Sequence, residues 1–502
     1  MKNNQSSKNG FISGIGFILA AAGSAVGLGN LWAFPYKTSA NGGAAFVLVY
    51  IICVALVGSI AMISEIYLGK RAQANPVTAY KKIKRPLGFI GIVVILIPTL
   101  ITCYYCVLGG WTLRYAVNSF QSIPSANNAV TFAPFVSNVF EPLFYTVIFL
   151  ILAALIIMGG IKDGIEKSSK ILMPALFIIL IFIVIYCLCL GDGVKGGLEF
   201  YLKPDFSALG FSGIIAAMGQ AFFSLSLGMG AMIAYGSYTG ENIKVGKSAV
   251  MICIFDTLVA FLAGLAIFPA ISALSPENLG ANAQGPGLIY QILPKVFDKM
   301  GGIGQVLSFA FFSMVIIAAL TSVISILEVS VQFISQKFKT NRKKTTLIMA
   351  IVCGLCSIPI TWSVGGAYGG KIVVFGFDLL TFLDEIANTV LMPVGAFFAC
   401  FSIGWLIDKK PTVNPMKTLN ALKNDGLDLG AFSKIFVIMV KFVTPLLILL
   451  VEIMGVIGKL QSYGNIYWSI IITSLLLIAI CVIVFFAFFY KKDCGTNADE
   501  IN

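Results

Sequence analysis

The sequence predicts an all-α integral membrane protein with about twelve transmembrane helices, and three observations predict it. Of 502 residues, 58% are hydrophobic and only 11% charged, where a soluble chain carries about 25% charged residues. The apolar residues gather into runs near or above the roughly 20 needed to cross a bilayer as a helix. Polar punctuation delimits twelve such runs, at about 13–36, 44–68, 87–116, 142–161, 168–190, 211–238, 246–273, 304–335, 344–362, 373–406, 432–458 and 465–490, numbered here as spans 1 to 12.

Span 1 follows a polar tail, residues 1–12, with no A-x-A pattern of a cleaved leader after it, so this span is expected to persist. Spans 1 to 5 make a first unit, 13–190, and a polar loop, 191–210, leads to spans 6 to 10, a second unit over 211–406. The run 304–335 corresponds to about 48 Å of helix and must tilt or project from the bilayer. Ahead of it, residues 274–303 contain Ser275-Pro276-Glu277-Asn278, a helix start, and Gly285-Pro286-Gly287, a turn before an amphipathic stretch. This segment is expected to be a partly helical extracellular lid. The loop 407–431 precedes spans 11 and 12 (432–490), and a polar tail, 491–502, follows.

Charge sets the orientation. With both termini on one side, that side holds 25 of the 34 Lys and Arg and the opposite side 8, while Lys441 falls within a span. Basic residues collect in cytoplasmic loops, so both termini are expected in the cytoplasm, in a multi-pass protein of the inner (plasma) membrane. The same bias accounts for the net charge of +12 without a nucleic-acid partner; the lipid bilayer is the partner the composition calls for. Ten of the 11 Cys lie in apolar runs and read as buried free thiols, with Cys494 in a polar segment. The absence of His removes imidazole relays, Ser/His and Cys/His catalysis, and His-ligated zinc.

Two stretches break the helical pattern: Ala22-Gly23-Ser24-Ala25-Val26-Gly27-Leu28-Gly29-Asn30 in span 1 and Phe222-Phe223-Ser224-Leu225-Ser226-Leu227-Gly228-Met229-Gly230 in span 6. Each holds Gly-x-Gly, costly to a helix at every glycine. They occupy matching positions in the two five-span units, which points to a 5+5 inverted repeat with broken helices 1 and 6 and two additional C-terminal helices. Unwound backbone at membrane depth is tolerated where it lines a protein-buried or wet cavity, and the freed amides and carbonyls suit a carboxylate and a cation. Close helix packing through small residues is the alternative for either stretch alone.

With these breaks the sequence resembles the neurotransmitter:sodium symporter family, in its bacterial amino-acid branch, over nearly the whole chain. The residues that carry the resemblance are Gly16-Phe17-Ile18-Leu19-Ala20 through Gly27-Leu28-Gly29-Asn30-Leu31-Trp32, Asn41-Gly42-Gly43, the Tyr104-Tyr105 pair before Trp111-Thr112-Leu113, Gln220 through Ser226, and Ala318-Ala319-Leu320-Thr321-Ser322. The resemblance implies two Na+ ions. One would take the Ala25 carbonyl, Asn30, Ser224 and Asp256; the other the carbonyls of Gly23, Val26 and Ala318 and the hydroxyls of Thr321 and Ser322. It implies an amino-acid substrate whose carboxylate meets the amides near Leu28 and Gly29 and the Tyr105 hydroxyl, in the neighbourhood of Ser24 and Ala25. Ile101, Phe223, Met229 and Ile326 would line the side-chain pocket, with Ser226, Ser322 and Ser325 adding polar contacts. Monoamine-carrying members have Asp where this chain has Gly27, so the substrate itself supplies the carboxylate here. Met229 replaces a Phe of the leucine-carrying relative and suits an adaptable pocket for a hydrophobic or aromatic amino acid.

Asp256 is the sharpest intramembrane charge, a costly residue type at such depth. Chloride-dependent relatives are neutral here and one turn later, and a chloride-independent relative carries its acid at the position of Ala260, on the same helix face. Asp256 is therefore expected to ligate sodium and to substitute for chloride, near Tyr50, Gln220 and Ser224. Glu65, Glu328, Glu385, Lys441 and Glu452 are expected in structural pairs or near interfaces.

The gates depart from the family pattern. Ala33 stands where most relatives have an Arg that pairs with an acid at the start of span 10, retained here as Asp384; Asp384 is expected either to be hydrated or to take another partner, for which Lys37 is the candidate. On the cytoplasmic side Phe11 and Gly14 replace Trp and Arg, Lys8 keeps a basic charge, Gln336 replaces an acid, and Tyr238 is retained. Gly164 and Pro174 frame the start of span 5, where local unwinding would admit water to the second sodium site. The expected activity is sodium-coupled import of an amino acid by alternating access, chloride-independent and not enzymatic: no nucleotide motif, metal cluster or nucleophile–base pair stands in the sequence. A transporter-like amino-acid sensor that binds without cycling is the alternative, and the oligomeric state is left open.

Overall fold

A backbone in hydrocarbon must satisfy its own hydrogen bonds, and in the computed structural model, which describes residues 10–119, 129–279, 287–365, 370–408, 412–427 and 429–486, nearly everything apolar is helical. Among the described residues nine helical runs are long and apolar enough to cross a membrane, and ten with the bent pair Gly14–Ala25 and Gly29–Ala40. That pair is span 1. Span 6 is likewise two helices, Phe211–Ser224 and Ala231–Ser237. Spans 2 to 5 are Ala44–Ala72, Arg85–Asn118, Glu141–Met158 and Ile161–Leu188, and spans 7 to 10 are Val245–Leu274, Gly302–Phe338, Arg342–Val364 and Leu379–Leu406. The last run, Gly430–Val484, is about 80 Å of helix at 1.5 Å per residue, far beyond one crossing. It breaks at Gly464, whose φ of 61° is the left-handed conformation that glycine tolerates, and both arms pack on the 385–391 segment, giving spans 11 and 12.

The packing carries the repeat. Span 1 lies against span 7 as span 6 lies against span 2, span 5 against span 8 as span 10 against span 3, and spans 3 and 8 pack on each other along their length. These partners are equivalent when spans 1–5 are matched to 6–10. Exposed apolar side chains such as Leu155, Ile178, Leu355 and Ile483 face outward from spans 4, 5, 9 and 12, as a lipid-facing surface requires.

Span 10 departs from expectation at its start. Residues 373–378 form a hairpin, Val373–Val374 paired antiparallel with Phe377–Asp378, and the helix begins at Leu379. Phe375 and Gly376 both have positive φ, 52° and 85°, the two-residue turn that matches strand twist; Asp378 then caps the helix by accepting from the Thr381 amide. Apolarity alone concealed this turn. In the 274–303 segment, Pro276–Asn278 is a 3-10 turn and Leu288–Ile292 runs into the helix Leu293–Lys299. Tyr290 fixes it to span 3: its hydroxyl bonds Thr112 Oγ1 at 2.7 Å, and its carbonyl accepts from Tyr115 Oη at 2.9 Å. Of the ten described cysteines, all free, Cys189 and Cys356 are exposed rather than buried.

Candidate functional site

The two helix breaks face each other at the centre of the bundle. In span 1 the chain leaves the helix at Val26 and re-enters at Gly29. In span 6 Ser226, Gly228 and Gly230 adopt positive φ of 53°, 82° and 75°. Gly228 is wedged so that a Cβ would lie 1.9 Å from the Met392 carbonyl, and one at Gly230 would meet Val94. Met229, buried between them, is thus held between spans 10 and 3. The Gly228 amide donates to Glu65 Oε1 at 2.6 Å. Glu65 is fully buried and anchors the break through a backbone amide. From sequence it was expected in a structural pair or near an interface; a lone acid in an otherwise apolar span was its one signal.

Asp256 is the hub of the first cluster. Its Oδ1 accepts from Asn30 Nδ2 at 2.7 Å, and its Oδ2 from Ser224 Oγ at 2.8 Å and Tyr50 Oη at 3.2 Å. Asn30 Nδ2 also lies 2.9 Å from Ser224 Oγ, and Asn30 Oδ1 accepts from the Gly27 amide at 3.0 Å. All of Asn30, Tyr50, Ser224 and Asp256 are fully buried. Gln220, expected beside Asp256, instead donates to the Gly29 carbonyl at 2.8 Å. Ala25, buried, ends the first half of span 1.

The second cluster joins span 1 to span 8. Ser322 Oγ lies 3.4, 3.1 and 3.1 Å from the carbonyl oxygens of Gly23, Ser24 and Val26. Thr321 Oγ1 lies 3.1 Å from the Ala318 carbonyl. A Cβ on Gly23 would be 3.1 Å from that of Thr321, so these oxygens surround one point of contact between the spans. The set is wholly neutral hard oxygen, the chemistry that suits Na+ and no soft metal.

Between the clusters the Leu28 amide donates to Tyr105 Oη at 3.0 Å, which puts the freed amides and the expected hydroxyl together. Ser24 Oγ and Ser325 Oγ are 2.6 Å apart, and Ser226 Oγ donates to the Ser24 carbonyl at 2.9 Å. Gly27 has no room for a side chain: a Cβ would lie 2.5 Å from Ser322 Oγ and 2.7 Å from Tyr105 Oη. Beside Gly29, a Cβ would meet the Phe223 ring at 3.2 Å. Ile101 and Ile326 are buried, and Phe223 is half-buried.

The expected gates are rearranged. Among the described residues no ion pair joins Lys37 to Asp384. Asp384 Oδ1 accepts from Asn388 Nδ2 at 2.5 Å, an amide that also donates to Tyr104 Oη, while Lys37 Nζ lies 5.9 Å from the centre of the Phe223 ring. The replacement partner of Asp384 is thus an amide one turn away on its own helix, which spares the burial of a second charge. Ala33 is buried. The neighbouring Glu385 is paired with Lys459 and accepts from Thr389 and Tyr467.

On the other side Gln336 accepts from the amide and side chain of Asn75, so it belongs to the 72–76 turn rather than to the tail; Lys8 lies outside the described residues. Two residues named from the sequence, Phe11 and Tyr238, meet there, together with Glu166, which the sequence did not single out. Phe11 is buried against Phe17 and Tyr235, and its amide donates to the Tyr238 carbonyl. Glu166, 1% exposed, accepts from the Ile12 amide at 2.7 Å, Ser13 Oγ at 3.0 Å and Lys170 Nζ at 2.6 Å. It enters because Gly16 is a glycine: a Cβ there would sit 2.0 Å from Glu166 Oε1. Glu166 ends the π turn Ile161–Glu166, which contains Gly164, and the helix Lys167–Leu188 continues through Pro174. Tyr238 Oη donates to Glu328 Oε1 at 2.8 Å, and Glu328 is clasped by both terminal nitrogens of Arg342.

A pair of broken helices facing each other around buried oxygens is the architecture of secondary transporters. The sodium:neurotransmitter symporter profile matches residues 8–134 and 135–493, and the chain belongs to that family. It is 34% identical to the "Uncharacterized sodium-dependent transporter YhdH" of Bacillus subtilis, over 89% of this chain and 98% of that one. It is 24% identical to the human sodium- and chloride-dependent taurine transporter over 78% of this chain and 70% of that one. Among solved structures, that of MhsT in complex with L-phenylalanine superposes with a TM-score of 0.79 at 37% identity, covering 89% of this chain and 99% of that one.

Proposed function

We propose that this protein is a sodium-coupled symporter that imports a hydrophobic or aromatic amino acid by alternating access, with two Na+ ions and without chloride. The observation that carries the substrate class is Gly27. No acidic side chain fits there, against Ser322 and Tyr105, so the carboxylate must arrive with the substrate, where the Leu28 amide and the Tyr105 hydroxyl already meet. The likeness to a protein solved with L-phenylalanine supports the same class.

One Na+ would take the Ala25 carbonyl, Asn30, Ser224 and Asp256, and the other the Gly23, Val26 and Ala318 carbonyls with Thr321 and Ser322. Asp256 supplies fixed negative charge to hydroxyl and amide donors that would otherwise face an anion, hence chloride independence. Sodium at the span 1–span 8 contact favours the outward-facing state, and its loss lets the cytoplasmic half of span 1 move away from Glu166. Both termini lie in the cytoplasm, on the side of the lysine-rich loops.

The test is a competition panel on purified protein, with labelled phenylalanine displaced by each amino acid, by their decarboxylated amines and by taurine. Displacement by Phe, Leu, Trp or Met but not by phenethylamine supports the reading. Displacement by the amine as strongly as by the amino acid overturns it.

A further inference from the structure

On the lysine-rich face, away from the helix breaks, a groove of about 400 Å³ runs between spans 2 and 7 and the start of span 11. Its walls are apolar, from Ile63, Met251, Leu429 and Phe432, and its rim carries Lys244 and Lys247. Both lysines are exposed, and neither forms an ion pair among the described residues. The groove is built rather than accidental. Lys70 of span 2 donates to the carbonyls of Glu241 and Ile243 at 3.2 and 2.6 Å, which fixes the residue before Lys244. Asp425 accepts from Tyr67 Oη at 2.6 Å and pairs with Arg71, which holds the end of the helix Pro415–Asn424 against span 2.

From the rim, two exposed apolar rows run along the bundle: Val250, Ile254 and Leu258 on span 7, one turn apart, and Ile435, Ile438 and Phe442 on span 11. Lysines with no ion pair among the described residues, at the level where the helices begin and above an apolar channel open to the side, match one kind of molecule: an amphiphile with an anionic head and hydrocarbon tails. Basic pockets between helices on the cytoplasmic side recognise anionic headgroups in this way.

We propose that this groove binds an anionic phospholipid, its phosphate between Lys244 and Lys247 and an acyl chain along the Val250–Ile254–Leu258 row. The site is distinct from the sodium and substrate clusters. Two lysines at about 1 kcal/mol each near a membrane surface correspond to roughly thirtyfold in affinity.

The test is native mass spectrometry of the full-length protein released from detergent, titrated with dioleoyl phosphatidylglycerol or dioleoyl phosphatidylcholine. Phosphatidylglycerol should bind roughly thirtyfold more tightly, and the Lys244→Gln/Lys247→Gln variant should bring it down to the phosphatidylcholine level. Lys343→Gln/Lys344→Gln, the same charge change elsewhere on that face, should leave binding unchanged. Met251→Trp, which fills the groove and keeps both lysines, should weaken it. Soluble glycerol 3-phosphate should not displace the lipid. Equal binding of the two lipids, retention of binding in the Lys244→Gln/Lys247→Gln or Met251→Trp variant, equal loss in the Lys343→Gln/Lys344→Gln variant, or displacement by glycerol 3-phosphate overturns the proposal.

Discussion

Asp256→Asn removes one negative charge from a fully buried cluster and little else, because Asn occupies nearly the same volume. The carboxylate accepts from Asn30, Ser224 and Tyr50 at 2.7, 2.8 and 3.2 Å. An amide keeps one acceptor and turns two protons toward groups that are themselves donors. Converting a charge-assisted hydrogen bond to a neutral one forfeits about 1.5 kcal/mol. The Coulomb attraction to a cation about 4 Å away is about 4 kcal/mol at an effective dielectric constant of 20. Sodium affinity should therefore fall between roughly tenfold and a thousandfold. The vacated region is then lined by donors from Tyr50, Ser224, Asn30 and the new amide, a setting for an anion. Sodium-dependent uptake should be weak in gluconate and partly restored by chloride. The assay is amino-acid uptake in proteoliposomes over a sodium series, with chloride or gluconate as the anion. Uptake that keeps its wild-type sodium dependence and gains no response to chloride would refute the reasoning.

Four further substitutions probe other parts of the structure. Gly27→Ala pushes a methyl into Ser322 and Tyr105 and, at about 1–3 kcal/mol for overpacking, should weaken substrate binding at least fivefold in a scintillation proximity assay. Glu166→Gln weakens the hold on Ile12 and Ser13, so amide hydrogen exchange at residues 11–17 should accelerate while exchange in span 3 stays as it was. Lys37→Ala should change uptake by no more than about fivefold, since among the described residues Lys37 forms no ion pair and its half-buried cation–π contact with Phe223 is worth about 0.5–1 kcal/mol. Arg342→Gln strands the fully buried Glu328; such a loss costs about 3–5 kcal/mol and should appear as a lowered thermal midpoint in detergent.

Much of this architecture is legible in the sequence because the membrane enforces it. Run length and glycine placement reveal the spans and both breaks, since hydrocarbon leaves the backbone few alternatives. Asn30, Ser224 and Asp256 are separated by up to 226 residues, and the resemblance brought them together before the fold did. What stayed hidden depends on side-chain geometry that no periodicity encodes. Glu166 serves the tail only because Gly16 makes space. Asp384 takes Asn388 instead of Lys37 because the amide is one turn away and costs no second buried charge. The hairpin before span 10 escaped notice because Val373, Val374 and Phe377 are as apolar as the helix that follows.

Coupling of amino-acid movement to sodium is tested most directly by one measurement. The purified protein, reconstituted into potassium-loaded liposomes, is given labelled phenylalanine outside with either an inward sodium gradient or equal potassium on both sides. Transient accumulation above the outside concentration, abolished by a sodium ionophore, is the result predicted. Saturable binding of the amino acid with no sodium-driven accumulation would contradict the account and leave a sensor that binds without cycling.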